Sequence, residues 1–185
     1  MDVFAHVLWT NAVFHVKYHK QRRLRYLAAF FGVLPDLISF TPVFLYMILL
    51  GKVITPELLM ENKSGVFNYA LQSYQYTHSL VVFAVGLIII TAVGNLYLYF
   101  KKGAMYRFWF FWPLLGYLLH ILIDIPSHKG LYETPFLYPL SNVRFTHGLS
   151  WSDPTYMVVN YGSIVVIYAV MYYYQKLKNG KSRKS

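Results

Sequence analysis

Residues 80–100 form a run of 21 residues without a charge, in which Asn95 is the one strongly polar side chain. About 20 apolar residues cross the ~30 Å hydrocarbon core of a bilayer as a helix, whose backbone satisfies its own hydrogen bonds there. Two further runs have similar length: 108–125, with His120 and Asp124 as polar exceptions, and 156–174, with Asn160. Residues 27–51 are also long enough, but Pro35, Asp36 and Pro42 interrupt them, so they read as a broken or kinked span. Ahead of these, residues 3–16 are apolar and helix-like. The expected fold is all-α: a polytopic membrane helical bundle of about four transmembrane helices plus an N-terminal apolar helix. It should form a single domain over 1–175, followed by a basic cytoplasmic tail, 176–185, that reads as disordered.

Composition narrows the function classes. The 185 residues are 57% hydrophobic and 13% charged, richer in apolar and poorer in charged residues than a soluble domain. A formal charge of +10 raises nucleic acid as a partner, yet the Lys and Arg residues sit between apolar runs instead of forming a patch on a soluble domain, so none is expected. Cysteine is absent, so any metal site must use His and carboxylates. No Gly-rich phosphate loop or nucleophile elbow occurs. No basic segment precedes the first apolar stretch, which His6 and Asn11 interrupt, so cleavage of a signal peptide is not expected.

Loop charge predicts orientation. Five Lys/Arg lie in 17–25, three in 101–107 and five in 176–184. The loops 52–78 and 126–153 carry Lys52, Lys63, Lys129 and Arg144. Thirteen basic residues against four, alternating along the chain, place the three basic segments in the cytoplasm and the other loops outside.

Ionisable residues inside apolar spans are expensive, and each is a functional candidate. Asp36, His120 and Asp124 are three such residues, and the i, i+4 spacing of His120 and Asp124 puts both on one helix face, where a single metal can take both. His128 continues the series, but Pro126 should kink or end the helix first, so His128 is expected to approach from a loop. His78 lies in Thr77-His78-Ser79 at the start of the 80–100 span, where Thr77 or Ser79 can cap the helix but capping does not explain the His. His6 precedes Lys17 by 11 residues and Asp36 follows Arg25 by 11, so a helical hairpin turning at the basic run lifts both ~16 Å from the cytoplasmic side. His120, counted from Arg107, comes to ~20 Å, whereas His78, counted from Lys101, comes to ~34 Å on a straight helix. A set of polar side chains that only joins helices by hydrogen bonds is the competing reading for each residue. His15 and His19 read as interfacial residues beside the basic turn, and His147 and Asp153, in the last outer loop, as further residues able to complete a site.

At these residues the sequence resembles the YdjM-type family of inner-membrane proteins regarded as metal-dependent hydrolases and sometimes labelled LexA-binding. The matching pieces are Ala5-His6-Val7-Leu8, Leu34-Pro35-Asp36, Thr77-His78-Ser79, Gly116 to His120 with Asp124 and Gly130, and Pro135 to Ser141. They follow the family's order across residues 5 to 141. That family is similar to the zinc-dependent phospholipases C and single-strand nucleases, which would give the bundle a phospholipase C/nuclease-like helical core. The resemblance implies His6, Asp36, His78, His120, Asp124 and His128 as ligands of one or two divalent cations, zinc first among them, with Asp124 and His78 in catalytic roles. The sequence departs from the family pattern at Ile38, where a second acid is common, and at Ser73-Tyr74-Gln75, where the family has His-Arg-Gly. The zinc phospholipases also use a mature N-terminal amine as a ligand, and nothing in this sequence suggests processing that would supply one.

The expected function is thus a membrane-bound metal-dependent hydrolase: a phosphoesterase acting on a lipid-linked or membrane-interface phosphate through a metal-activated water, with its site towards the outer face of the bacterial inner membrane. The alternative is a non-catalytic bundle that binds a structural metal or conducts an ion or proton. A cytoplasmic partner for the basic tail, LexA by the family label, is a third possibility. Membrane lipid is the partner that both leading readings share.

Overall fold

The computed structural model describes residues 1–51, 65–103, 107–130 and 133–182, and these hold seven α-helices and no strand. Helix α1 is Val3–Tyr18, α2 is Arg22–Phe31 and α3 is Leu34–Leu50. Helix α4 is Val66–Thr77, α5 is Leu80–Lys102, α6 is Leu115–Ser127 after a 3-10 turn at Trp112–Leu114, and α7 is Pro154–Ser182.

The helix ends follow from local chemistry. Asp2 caps α1 by accepting from the Phe4 and Ala5 amides at 3.1 and 3.0 Å. Ser79 caps α5 through the Val81 and Val82 amides. Pro35 sits in the first turn of α3, where its missing N–H removes no helical bond. Gly51, at φ 61, closes the same helix in the left-handed conformation.

Two helices, Leu80–Lys102 and Pro154–Lys178, are long and apolar enough to cross a membrane. Helices α2 and α3 pass the same test only as a pair, bent by 55° at Gly32-Val33, just before the Pro35-Asp36 pair where the sequence places the break. The span expected over 108–125 is shortened: residues 107–111 are not helical, and α6 has 13 residues, ~20 Å long against a ~30 Å core. Two to three candidate spans therefore stand where about four are expected. Pro126 lies inside α6, which runs one residue beyond it. In the tail, α7 continues through Ser182, so residues 176–182 are helical rather than disordered, and 183–185 lie outside the described residues. Of the expected loop 52–78, residues 66–77 are the helix α4, while 52–64 lie outside the described residues.

The non-helical segment before α6 is pinned to α5. Asn95 binds it on both sides, accepting from the Trp109 amide and donating to the Trp109 carbonyl, each at 2.8 Å, while the Trp109 ring packs over Gly94. Trp109 and Asn95 therefore share a level. From Asn95 back to His78 is 17 residues of helix, ~26 Å.

Basic residues collect at the end of the bundle away from His78. The Lys17 ammonium lies 4.7 Å from the centre of the Trp112 ring, and His15 contacts both Arg25 and Gln175, tying the ends of α1 and α7 to the start of α2. The interior is unusual in kind: the largest fully buried side chains include His6, His78, His120, Asp124, Thr10 and Thr134, whereas Ile88, Val93, Val158 and Val165 face outwards. Glycines let the helices close on this polar interior. A Cβ on Gly116 would stand 2.0 Å from the Ala28 carbonyl oxygen, and one on Gly32 would stand 2.3 Å from Thr10 Oγ1.

Gly116→Ala should therefore force α6 away from α2, at an overpacking cost of about 1–3 kcal/mol. A lowered thermal unfolding midpoint in detergent, beside an unchanged or raised one for Gly86→Ala, whose Cβ meets nothing within 4 Å, checks this.

Candidate metal centre

Five pieces of chain deliver the six expected residues to one place. His6 comes from the first turns of α1, Asp36 from the first turn of α3, His78 from the break between α4 and α5, His120 and Asp124 from one face of α6, and His128 from the residue that ends α6. All six are buried. Asp36, His78, His120 and Asp124 each offer one ligand atom within 4.8 Å of the other three.

The partners on the far side of each ring fix which nitrogen faces inwards. His120 Nδ1 lies 2.8 Å from the Gly32 carbonyl, and since a carbonyl only accepts, Nδ1 carries the proton and Nε2 keeps its lone pair. His78 Nδ1 lies 3.2 Å from the Tyr74 carbonyl and 2.9 Å from Thr77 Oγ1, so in the neutral ring its Nε2 is likewise the atom with the lone pair. Yet the two Nε2 atoms are 3.0 Å apart. Asp124 Oδ2 is 3.1 Å from His120 Nε2 and 3.4 Å from His78 Nε2, and Asp36 Oδ1 is 3.8 and 3.4 Å from the same two atoms. With both rings neutral, two lone pairs and two carboxylates converge here, an arrangement that repels itself and attracts a cation.

His6 and His128 flank this group. His6 stacks on the His120 ring at 3.7 Å between centroids, with Nε2 2.9 Å from Asp124 Oδ1. That contact lacks hydrogen-bond alignment, and both His6 nitrogens, like Asp124 Oδ2, are buried without a hydrogen-bond partner. Orphaned polar atoms of this kind are rare in a folded interior and mark a place for an ion or water. The donors fit a divalent cation. Nitrogen and oxygen atoms bound at ~2.0–2.2 Å to one ion are separated by roughly 3–4 Å, and the His–His and His–carboxylate distances of the four-residue group run from 3.0 to 3.8 Å.

His128 Nε2 is 3.7 Å from Asp124 Oδ1, and its Nδ1 is 2.6 Å from the Tyr74 hydroxyl, which also contacts Thr134 Oγ1 at 3.2 Å. Burial pushes the His128 pKa down to about 3, so the ring is neutral, and burial raises that of Tyr74, so the phenol keeps its proton. The Met1 amine donates to Asp124 Oδ1 at 2.6 Å and lies 2.7 Å from His128 Nε2 and 3.2 Å from Ser127 Oγ. The loop after α6 is tied to the start of α5 and the end of α6: Leu80 N donates to Phe136 O, Ser79 Oγ to Tyr138 O, and Leu149 N to Pro126 O.

Met1, Tyr74 and Thr134 escape the sequence reading, because a terminal amine, a Tyr among eighteen and a loop Thr carry no pattern of their own. His147 is exposed, and Asp153 caps α7 through the Thr155 and Tyr156 amides, so neither joins the cluster. Asn160 accepts from the Trp9 indole at 2.8 Å, joining α7 to α1.

The chain matches the YdjM inner membrane protein family over residues 1–180, and it belongs to that family. With its apolar helices, this makes it an integral inner membrane protein. No curated protein and no solved structure matches it.

Metal content of the purified protein should fall well below that of wild type in Asp36→Asn, His78→Gln and His120→Gln. It should stay at the wild-type level in His147→Ala. Elemental analysis by mass spectrometry, with thermal melts to confirm folding, checks both.

Proposed function

We propose that this YdjM-family protein is a membrane-bound metal-dependent hydrolase, a phosphoesterase acting on a lipid-linked or membrane-interface phosphate. The observation that carries the reading is the convergence of His ring nitrogens and carboxylates in a buried group, with a cavity reaching the cluster at Asp36 and His128. A structural metal site is closed, whereas a catalytic one keeps a side open to substrate. Asp36 and His128, each 4% exposed, stand at that side.

Asp36, His78, His120 and Asp124 would hold the cation, with Asp124 placed to serve two positions because its two oxygens face different partners: Oδ2 the His78–His120 pair, Oδ1 His6, His128 and the Met1 amine. A bound divalent cation, zinc being our first choice for imidazole and carboxylate ligands, lowers the pKa of its water towards ~7 and polarises a phosphoryl oxygen. The chain's own part is orientation. Gly32 and Tyr74 carbonyls hold the His120 and His78 rings, His6 packs against His120, and Tyr74 and Thr134 hold His128 at the cavity edge. The basic helix ends lie opposite the site, which supports a cytoplasmic tail and a site towards the outer face.

The complete burial of His6, His78, His120 and Asp124 favours a second reading, a non-catalytic bundle that binds a structural metal or passes an ion. The two separate in one assay. Zinc-loaded protein should hydrolyse members of a panel of lipid phosphates, with activity abolished by chelation, restored by metal and lost in Asp124→Ala. Stoichiometric metal with no metal-dependent release of phosphate or alcohol across that panel would favour the second reading.

A further inference from the structure

A cavity of about 390 Å³ lies beside the cluster, between the start of α1, helices α3 and α4, and Trp151 of the last loop. Its wall is of two kinds. Asp36 and His128 form one edge, where the candidate metal ligands meet it. Phe40 and Val43 of α3, Phe67 of α4 and Trp151 supply much of the rest. Val43 and Phe67 also belong to the buried apolar cluster that joins α3 to α4. Met1 and Asp2 line the cavity too; Asp2 Oδ1 caps α1 and accepts from the Tyr161 hydroxyl at 2.8 Å, while its Oδ2 is buried without a hydrogen-bond partner, so the polar edge extends to the start of α1. Phe44, also on the wall, is half exposed, and Ile48 one turn further along α3 is 76% exposed, so the apolar wall continues onto the helix surface that faces outwards.

A polar ester small enough to fill the cavity would place hydroxyls or charges against phenyl rings and leave them unpaired, at a cost that selects against it. A hydrocarbon chain has no such groups, and the volume is that of a typical small-molecule site. We propose that the cavity holds the hydrocarbon chain of an amphiphilic phosphoester, with the phosphate at Asp36 and His128 and the chain along Phe40, Val43 and Phe67. The inference rests on the phosphoesterase reading and adds to it the part of the substrate that is recognised. The apolar part of the wall selects by chain length and volume, since the Phe40, Val43 and Phe67 side chains offer no hydrogen bond to read a headgroup.

Alkylphosphonates from methyl to octyl, which present a phosphate-like head and are not hydrolysed, are titrated by calorimetry into the zinc-loaded full-length protein in nanodiscs. Partition of the chains into the disc is common to wild type and variant, so the readout is the difference between them. Wild type should gain up to about fourfold in affinity for each methylene the cavity accommodates. Val43→Phe, which narrows the cavity, should lose that gain for the longer chains and leave methylphosphonate binding unchanged. If Val43→Phe does not fold, the wild type decides: an octylphosphonate with a terminal diazirine should cross-link to peptides of α3 and α4. Equal chain-length dependence in wild type and variant, or cross-links confined to the outer faces of α5 and α7, overturns the inference. Chain-selective binding without hydrolysis of any phosphoester would sink the phosphoesterase reading and leave the cavity assignment standing. Hydrolysis with no chain selectivity would do the reverse.

Discussion

Everything in this fold is arranged around the cost of burying Asp124. A carboxylate taken fully out of water is destabilised by several kcal/mol even after the protein relaxes, and here it lies among other ionisable groups in a bundle whose outer face is apolar. It is surrounded by His6, His78, His120, His128 and the Met1 amine, all within 3.7 Å. These partners arrive on three stretches of chain: Met1 and His6 at the start of α1, His78 at the break between α4 and α5, and His120 and His128 on α6 and at its end. Satisfying one carboxylate therefore fixes the ends of α1, α5 and α6 relative to one another, and Asp36, through His78, adds α3.

The close approaches at Gly32 and Gly116 are consequences of that demand. Thr10 and the Ala28 carbonyl occupy the space where side chains would stand, so α1, α2 and α6 meet almost backbone to backbone. The Gly32 carbonyl is thereby within reach of His120 Nδ1. A helix end that terminates at a glycine thus does two things: it ends α2 and it sets the tautomer of a candidate ligand. The bend between α2 and α3 then turns the chain so that Asp36 enters from the next helix.

Much of this was readable from residue type and spacing. A His and an Asp four apart in an apolar helix, a Pro-Asp pair interrupting another, and a His beside a helix cap stood out because lipid-facing helices have no inexpensive use for them. The heights of His6 and Asp36 agreed through helical rise alone. What was hidden has physical causes. Helix α4 is buried along Phe67, Ala70, Tyr74 and Thr77, a helical spacing obscured by the polar residues between them, so it read as loop. The shortening of α6 is decided by tertiary contacts, since Asn95 holds the Trp109 backbone that a span would have made helical. Composition cannot distinguish an apolar helix from an apolar extended strap pinned to its neighbour. The supporting shell of Tyr74, Thr134 and backbone carbonyls was invisible because its members act through position.

The central claim is that the imidazoles and carboxylates share a cation. X-ray absorption at the zinc edge of the purified zinc-loaded protein tests it most directly. The account predicts nitrogen and oxygen scatterers at ~2.0–2.2 Å with the outer-shell pattern of imidazole, diminished in His120→Gln. A spectrum of hydrated zinc without imidazole, unchanged by that substitution, would contradict it.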